Sequence, residues 1–296
     1  MKSVSRIEER GQVARKMVEN GRQEPFVVRF WGVRGSIACP GPEYVRYGGN
    51  TSCIEIRLGK RVLIFDAGTG LRPLGRALIQ DQITTADIFL THTHVDHIHG
   101  IPFFAPFFNP KGDFRVWAGH LAPRSTLKHV LSKYMADPLF PVPPDIFAAK
   151  VAYVDFEAGE TLVPAPGALL RTTALNHPQG ATAFRLEEGG RSFCYVTDTE
   201  HVEGVRDERI LALVEGADYM AYDATYTDNE YPAFRGWGHS TWEEGMRLAE
   251  AAGVKQLVIF HHDPAHDDNA MDAIAASAEA ARPGTLVAYE GLTLTL

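Results

Sequence analysis

The stretch THTHVDHIHG, residues 91–100, places four histidines and one aspartate within ten positions. His92, His94, Asp96 and His97 directly follow DIFLT, an apolar run with the composition of a buried strand. Such side chains are costly to bury without partners. Imidazole and carboxylate groups are also the ligands that zinc, manganese and iron accept. The pattern therefore predicts a metal site where a strand ends.

The order of these residues predicts two neighbouring metal positions. His92 and His94 are two residues apart, so an extended backbone points both side chains the same way. Asp96 and His97 are adjacent, and we expect their side chains to diverge unless the backbone turns. Two metals about 3.5–4 Å apart can clamp an in-line displacement at phosphorus and generate hydroxide.

Two metals need more than four protein ligands, and other predicted strands end on residues of the same types. LLRTTALNH ends at His177, RSFCYVTD ends at Asp198, and QLVIFHH ends at His261 and His262. A single histidine at a strand end is usually structural, but four such ends in one chain favour a shared metal site. At this stage either His261 or His262 can supply the last ligand.

HTHVDH resembles the HxHxDH signature of the metallo-β-lactamase fold superfamily, and the later histidines and aspartate match its remaining ligand motifs in order. The resemblance covers the chain from about residue 26. It implies an α/β (α+β) fold, a four-layer αββα sandwich with a binuclear site at one edge. It also implies seven ligands, with Asp198 bridging the two metals and His261 preferred to His262. One metal would be held by His92, His94 and His177, and the other by Asp96, His97 and His261.

GHSTWEEG and YDATYTD narrow the resemblance to the ribonuclease Z branch and its phosphodiesterase relatives. This resemblance implies that His239 assists catalysis and that Asp223 orients it. Asp223 stands where that branch usually has glutamate. Ser240 and Glu243 also match an S-x-x-E capping box, which predicts a helix that starts at Ser240. His239 would then lie beside a helix N-terminus, where phosphate binds readily.

Composition limits the other function classes. The chain has 296 residues and a formal net charge of −8, which disfavours nucleic acid as a partner. It has no apolar run long enough to span a bilayer, and its first residues lack the apolar region of a secretory signal. Cys39, Cys53 and Cys194 are widely spaced, so we expect small buried side chains and a cytoplasmic protein.

We divide the chain into a polar N-terminal arm, residues 1–24, and one hydrolase domain, residues 25–296. The segments TSCIEIRL and RVLIFDAGTG predict a hairpin, LRPLGRALIQ predicts a helix, and PRSTLKHVLSKYM predicts a helix with Pro123 near its start. The Phe- and Pro-rich segments GIPFFAPFFNPKGDF and DPLFPVPPDIF have three interpretations. They could form irregular core, a homodimer contact or the apolar wall of a substrate pocket.

Several further polar residues receive supporting roles or none. Asp66 in FDAGTG is expected to hold the loops beneath the metals. His99 and His129 are not expected to be ligands. His262, Asp263 and His266 are interpreted as a solvated or supporting group.

These observations predict a metal-dependent phosphodiesterase with two divalent ions, zinc before manganese or iron. Its substrate would be a small phosphodiester such as a cyclic nucleotide. Asp96 would help to deprotonate water, and His239 would help the leaving alkoxide to depart. Alternatives at the same metals are a lactone, thioester or β-lactam hydrolase and an RNA 3′-processing endonuclease. The non-enzymatic alternative is a metal-stabilised nucleotide sensor.

Overall fold

The computed structural model describes residues 25–296, which form two seven-stranded β-sheets with helices on both outer sides. The predicted four-layer αββα sandwich is confirmed. The predicted polar arm, residues 1–24, lies outside the described residues, so the division of the chain at residue 25 stays a prediction. No described helix is both long enough and apolar enough to cross a bilayer.

The strands of the described residues are, in chain order, β1 (Phe26–Gly32), β2 (Cys53–Leu58), β3 (Arg61–Phe65), β4 (Thr85–Leu90), β5 (Asp113–Ala118), β6 (Lys150–Asp155), β7 (Thr161–Ala165), β8 (Ala168–Leu175), β9 (Ala181–Glu188), β10 (Arg191–Val196), β11 (Tyr219–Asp223), β12 (Gln256–Phe260), β13 (Leu286–Val287) and β14 (Thr293–Thr295). One sheet has the order β14-β1-β2-β3-β4-β5-β6, and the other has the order β13-β12-β11-β10-β9-β8-β7.

The α-helices of the same residues are α1 (Leu71–Gln80), α2 (Val95–Ile98), α3 (Leu127–Tyr134), α4 (Glu208–Val214), α5 (Trp242–Ala251) and α6 (Asp268–Ala281). Short 3₁₀ turns cover Pro42–Tyr44, Ile101–Phe103, Ala105–Phe108, Pro144–Ile146 and Tyr231–Ala233.

The main core lies between the two sheets. In β1, Phe26, Val28 and Phe30 alternate with more exposed residues, as expected for a strand with one buried face. Across the interface, the ring of Phe65 stacks on the ring of Tyr195 at 5.8 Å between centroids. Because both side chains are fully buried, this contact joins the two sheets directly beneath the polar edge described below.

Smaller cores bind the helices to the outer faces of the sheets. Leu71, Leu74 and Leu78 form one buried stripe on α1, with the spacing of an amphipathic helix. Phe104 and Phe107 of the first Phe-rich segment are buried in the same cluster. This supports the irregular-core interpretation for part of that segment.

Local predictions succeeded where periodicity was strong. β2 and β3 form the predicted antiparallel hairpin, and α1 coincides with LRPLGRALIQ. The helix expected near Pro123 instead begins at Leu127, because the side chain of Thr126 caps it by accepting a hydrogen bond from the His129 amide. The strands β7 and β14 were not predicted.

The topology brings five strand ends to one edge, four from one sheet and one from the other. β10, β11 and β12 are mutually parallel, so their carboxyl ends lie together. β8 pairs antiparallel with β9, which pairs antiparallel with β10, so β8 also points toward this edge. β4 of the other sheet ends just before the histidine-rich segment. The chain segments that follow these five strands form the candidate site.

Candidate metal centre

All seven residues predicted as ligands converge at this edge. Their ligand atoms fall into overlapping groups in which every atom lies within 4.8 Å of the others. One group contains His92, His94 and His177, and a second contains Asp96, His97 and His261. The grouping matches the two triads that the family resemblance implied, while the assignment of each residue as a ligand stays a prediction.

The first triad joins the two sheets. His92 and His94 follow β4, and His177 lies two residues beyond the end of β8. The Nε2 atom of His177 lies 3.0 Å from the Nδ1 atom of His94. The ring centroids of His92 and His177 are 4.7 Å apart. Three imidazoles therefore surround one point.

The second triad depends on a turn of helix. The residues that follow His94 form α2, and this turn places the side chains of Asp96 and His97 together instead of letting them diverge. The Oδ2 atom of Asp96 lies 3.3 Å from His97 Nε2 and 3.5 Å from His261 Nε2. His97 and His261 have no exposed surface, so this triad is more deeply buried than the first.

Asp198 lies between the triads, at the position implied for a bridging ligand. Its Oδ1 atom is 3.7 Å from the Nε2 atoms of both His92 and His177. Its Oδ2 atom is 3.1 Å from His97 Nε2 and 3.3 Å from His261 Nε2. Each carboxylate oxygen thus faces a different triad.

Partners behind the buried histidines determine which ring nitrogen faces the centre. His97 Nδ1 donates to Asp66 Oδ2 at 2.8 Å, and Asp66 also accepts hydrogen bonds from Thr91 and from the Tyr195 hydroxyl. Because Thr91 Oγ1 donates to Asp66, it accepts from His92 Nδ1 at 3.1 Å. The expected supporting role of Asp66 agrees with this geometry.

The other three histidines are oriented in the same way. His177 Nδ1 donates to the Gly238 carbonyl at 2.8 Å, and His94 Nε2 donates to Gln179 Oε1 at 2.8 Å. His261 Nδ1 lies 3.0 Å from Thr225 Oγ1, whose own proton goes to Asp223 or to the His261 carbonyl. Such outer hydrogen bonds fix the tautomer of metal-binding histidines.

The donor set fits divalent metal ions. With the outer nitrogens acting as donors, the inward nitrogens of all five histidines carry lone pairs, and these converge with the carboxylates of Asp96 and Asp198. His92 Nε2 is buried and has no hydrogen-bond partner, which is costly for a polar atom. Lone pairs and anions packed at 3.0–3.7 Å repel one another unless cations lie between them.

Backbone conformation also marks this edge. Among the described residues, six non-glycine residues have positive φ, and five of them contribute to the site or its supports. They are Ser36, Asp66, Gln179, Asp198 and His261. The left-handed region costs such residues about 1–2 kcal/mol each. Unfavourable backbone of this kind clusters at functional sites.

Buried charges shift the protonation of the polar groups. Burial opposes ionisation of Asp198, but the imidazoles of His261, His97 and His92 hold its pKa well below the usual range. Burial favours neutral His97, but the carboxylates of Asp198, Asp96 and Asp66 raise its pKa well above the usual value. Both pKa shifts show that positive charge is stabilised among these carboxylates, whether as a proton on His97 or as a bound cation in its place.

His239 and Asp223 form a hydrogen-bonded pair next to the triads. His239 Nδ1 donates to Asp223 Oδ2 at 3.0 Å and lies 3.8 Å from Asp198 Oδ1. Asp223 is fully buried and is held by the amides of Thr199 and Thr225. Although burial alone would lower the pKa of His239, the Asp223 carboxylate raises it to about 9. Asp223 therefore reaches His239, although its side chain is one methylene shorter than the glutamate that is usual at this position.

The capping prediction beside His239 was wrong by one residue. α5 begins at Trp242, and the side chain of Thr241 caps it by accepting a hydrogen bond from the Glu244 amide at 3.1 Å. Ser240 is instead buried behind His239, where its hydroxyl meets Tyr222 and His201. A residue outside the helix was mistaken for its cap because T-x-x-E overlaps S-x-x-E in STWEE.

Three other histidines considered in the sequence lie outside the two triads. His99 and His129 are exposed, and neither belongs to the groups of converging ligand atoms among the described residues. His262 points away from the centre and donates to the Ala288 carbonyl, so His261 is the residue that faces the triads. Of the two alternatives for His262, the solvated one was wrong, since the side chain is fully buried and burial lowers its pKa to about 3.

Two supporting residues were not found from the sequence. Gln179 orients His94, and the Glu200 carboxylate accepts hydrogen bonds from the amides of Gly236 and Gly238. Each lies two residues after a predicted ligand, His177 or Asp198. That spacing could have identified them, because residues close to a metal ligand in the chain often support it through hydrogen bonds. The three cysteines are buried free thiols, as predicted.

Comparison with known proteins agrees with this arrangement. The model of the family described as "Beta-lactamase superfamily domain" matches residues 60–262, which is more than half of the chain. The chain belongs to the beta-lactamase superfamily. It is 25% identical to ribonuclease Z of Bradyrhizobium sp. (strain ORS 278), over 85% of this chain and 92% of that protein.

Solved structures of the superfamily share the fold. The metallo-β-lactamase fold protein YhfI from Bacillus subtilis superposes with a TM-score of 0.71 at 18% identity, covering 92% of this chain and all of YhfI. A diphosphatase from the PhnP family superposes with a TM-score of 0.66 at 16% identity, covering 92% and 97%. The predictions of a metallo-β-lactamase fold, of a ribonuclease Z-like metal-dependent hydrolase and of divalent metal binding are confirmed.

Proposed function

We propose that this protein is a two-metal phosphodiesterase that hydrolyses a small phosphodiester, such as a cyclic nucleotide. The observation that carries the proposal is the position of Asp198 between the two triads and next to the hydrogen-bonded His239–Asp223 pair. Asp96 and Asp198 supply carboxylate oxygens rather than thiolates, and such hard ligands suit the metal ions that act on phosphate esters. The ribonuclease Z relatives support phosphodiester hydrolysis as the reaction class.

Each triad would hold one metal ion. His92, His94 and His177 would hold one divalent ion, Asp96, His97 and His261 the other, and Asp198 both. When bound, such ions polarise phosphoryl oxygens and lower the pKa of water. We propose zinc as the first choice, since five imidazoles dominate the donor set.

Proton transfer falls to groups of the chain itself. Asp96 lies in the second triad, with its Oδ2 atom held by the Ser36 amide at 2.8 Å, and would accept a proton from the attacking water. Asp223 holds Nδ1 of His239 and stabilises the protonated ring, so that Nε2 can donate a proton to the leaving alkoxide.

A second candidate is RNA 3′-processing, favoured by the relatives named ribonuclease Z. The net charge of −8 disfavours a long polyanion, because phosphate contacts along RNA require many cationic side chains. We therefore rank it below a small diester. Hydrolysis of lactones, thioesters or β-lactams ranks lower still, since the relatives named ribonuclease Z support phosphodiester chemistry.

The test is a panel of substrates with metal-loaded protein. Bis(p-nitrophenyl) phosphate, cAMP and a precursor tRNA would be compared with a lactone and nitrocefin, in Zn²⁺ and in Mn²⁺. We expect metal-dependent cleavage of the diesters. Turnover of the lactone or nitrocefin without cleavage of any diester would overturn the proposal. Efficient cleavage of tRNA without cleavage of cAMP would favour the second candidate.

Three variants separate the roles. Asp198→Ala should lose metal and activity together, because it removes the group shared by the triads. His239→Ala should keep both metals and lower kcat by about 10²–10⁴-fold, the usual contribution of proton transfer. His99→Ala is the matched control, an exposed histidine of the same segment. Normal turnover of cAMP by His239→Ala would remove that residue from the mechanism, because the alkoxide that leaves cAMP requires a proton.

A further inference from the structure

The loop before His239 carries an exposed indole beside the metal centre. Trp237 leaves 63% of its surface exposed, although tryptophan is among the most favourable side chains to bury. The next residue, Gly238, accepts the hydrogen bond that orients His177. Trp237 is therefore two residues from His239 and one residue from a backbone group that supports the first triad.

The backbone on both sides of Trp237 is held by one carboxylate. Glu200 accepts from the Gly236 amide at 2.9 Å and from the Gly238 amide at 2.7 Å. The same residue is tied to the loop of His177, since its amide donates to the Asn176 carbonyl. An exposed side chain on a backbone braced in this way loses little conformational entropy when a ligand binds.

Aromatic rings connect Trp237 with His239. Trp237 packs edge-to-face on Phe234 at 5.5 Å between centroids, and Phe234 stacks on Tyr226 at 4.5 Å with an interplanar angle of 6°. Tyr226 lies edge-on to His239 at 6.1 Å. Tyr226 is buried and Phe234 is half-buried, so the indole is the outermost ring of this row.

We propose that Trp237 stacks against a nucleobase of the substrate while the phosphodiester lies at the metal centre. The inference rests on the proposed phosphodiesterase function and restricts its substrates to nucleotides. Two residues of chain span at most about 7 Å, so the Cα atoms of Trp237 and His239 lie within that distance, and a nucleotide at His239 has its base beside the loop that carries the indole. Stacking on an aromatic side chain tolerates any base, because every base has a π-face.

The first experiment compares two diesters that share a leaving group. Thymidine 5′-(p-nitrophenyl) phosphate carries a base, and methyl p-nitrophenyl phosphate does not. We expect Trp237→Ala to lower the ratio of their kcat/KM values about tenfold, mainly through KM, because stacking acts on bound substrate and transition state alike. Trp237→Phe should retain part of the ratio. Arg235→Ala, which breaks the exposed pair with Glu203 in the same loop, is the matched control and should leave the ratio unchanged.

A second measurement does not depend on turnover. AMP should quench the tryptophan fluorescence of the metal-loaded protein in a saturable way, and ribose 5-phosphate should not. This quenching should be lost in Trp237→Phe. An unchanged ratio in Trp237→Ala, or equal quenching in wild type and Trp237→Phe, would overturn the stacking role while leaving phosphodiesterase activity intact. If neither diester is cleaved, the proposed function fails, and the AMP titration still decides whether Trp237 binds a base.

Discussion

Replacing Gly238 by alanine tests whether the backbone behind His177 governs metal binding. Gly238 has a φ of +88°, and its carbonyl accepts from His177 Nδ1 at 2.8 Å. A Cβ atom at this position would lie 2.4 Å from His177 Nδ1 and 2.4 Å from Pro178 Cδ. No rotamer change of the new methyl group can relieve these contacts, so the imidazole or the loop must move.

The magnitude follows from two separate costs. Positive φ costs alanine about 1–2 kcal/mol, which lowers folding stability without reference to the metals. Non-bonded atoms prefer about 3.5 Å, so the His177 ring must shift by about 1 Å. Losing an oriented outer hydrogen bond typically costs 10–100-fold in metal affinity. We therefore expect Gly238→Ala to weaken binding at the first triad by about that factor.

Gly236 provides a matched control. Its φ is also +88°, but a Cβ atom there would meet nothing within 4 Å. Gly236→Ala should therefore show the stability cost alone, with unchanged metal affinity. Titration calorimetry with Zn²⁺ would measure affinity and stoichiometry, and urea denaturation of the metal-free proteins would measure stability.

Two results would refute this reasoning. Equal Zn²⁺ affinity in Gly238→Ala and wild type would show that the Gly238 carbonyl does not govern the orientation of His177. Equal loss of affinity in both glycine variants would show that backbone strain in the loop, rather than the contact with His177, is responsible.

Three further predictions test other parts of the site and its scaffold. A chelator should lower Tm, since metal at 100 times its Kd contributes about 2.7 kcal/mol, and Asp198→Ala should abolish that shift in a thermal scan. Gln179→Ala should weaken Zn²⁺ binding by about 10–100-fold in the same calorimetry, because His94 loses the acceptor of its outer nitrogen; an unchanged affinity would argue against this support. Thr241→Ala should cost about 1 kcal/mol in urea denaturation through loss of the α5 cap, and a smaller cost in Thr241→Ser would show that the hydroxyl is responsible.

Strong local patterns made much of the fold predictable. Alternation in FVVRFW and the three-and-four spacing in LRPLGRALIQ correspond to β1 and α1, because burial of one face selects the period of the backbone. β7 and β14 were missed for the opposite reason. Each is short and lies at or near an edge of its sheet, where pairing with a neighbour, rather than its own pattern, makes it a strand.

In the candidate site, too, some features were predictable from the sequence and others were not. Residue types and strand ends were enough to predict His92, His94, His177 and Asp198 as a cluster, because ligands in layered sheets gather where parallel strands end. The local backbone was less predictable. The turn of α2 brought Asp96 and His97 together, although adjacent residues on an extended chain would have diverged.

The amino-acid sequence by itself determined which chemical groups the protein could bring to a metal centre and in what order along the chain. Only the tertiary structure decided how each group is aimed. It selected His261 over His262, placed one oxygen of Asp198 toward each triad, and used Glu200 to brace the loop that carries Trp237. These choices depend on contacts between residues distant in sequence, and those contacts form only when the two sheets pack together.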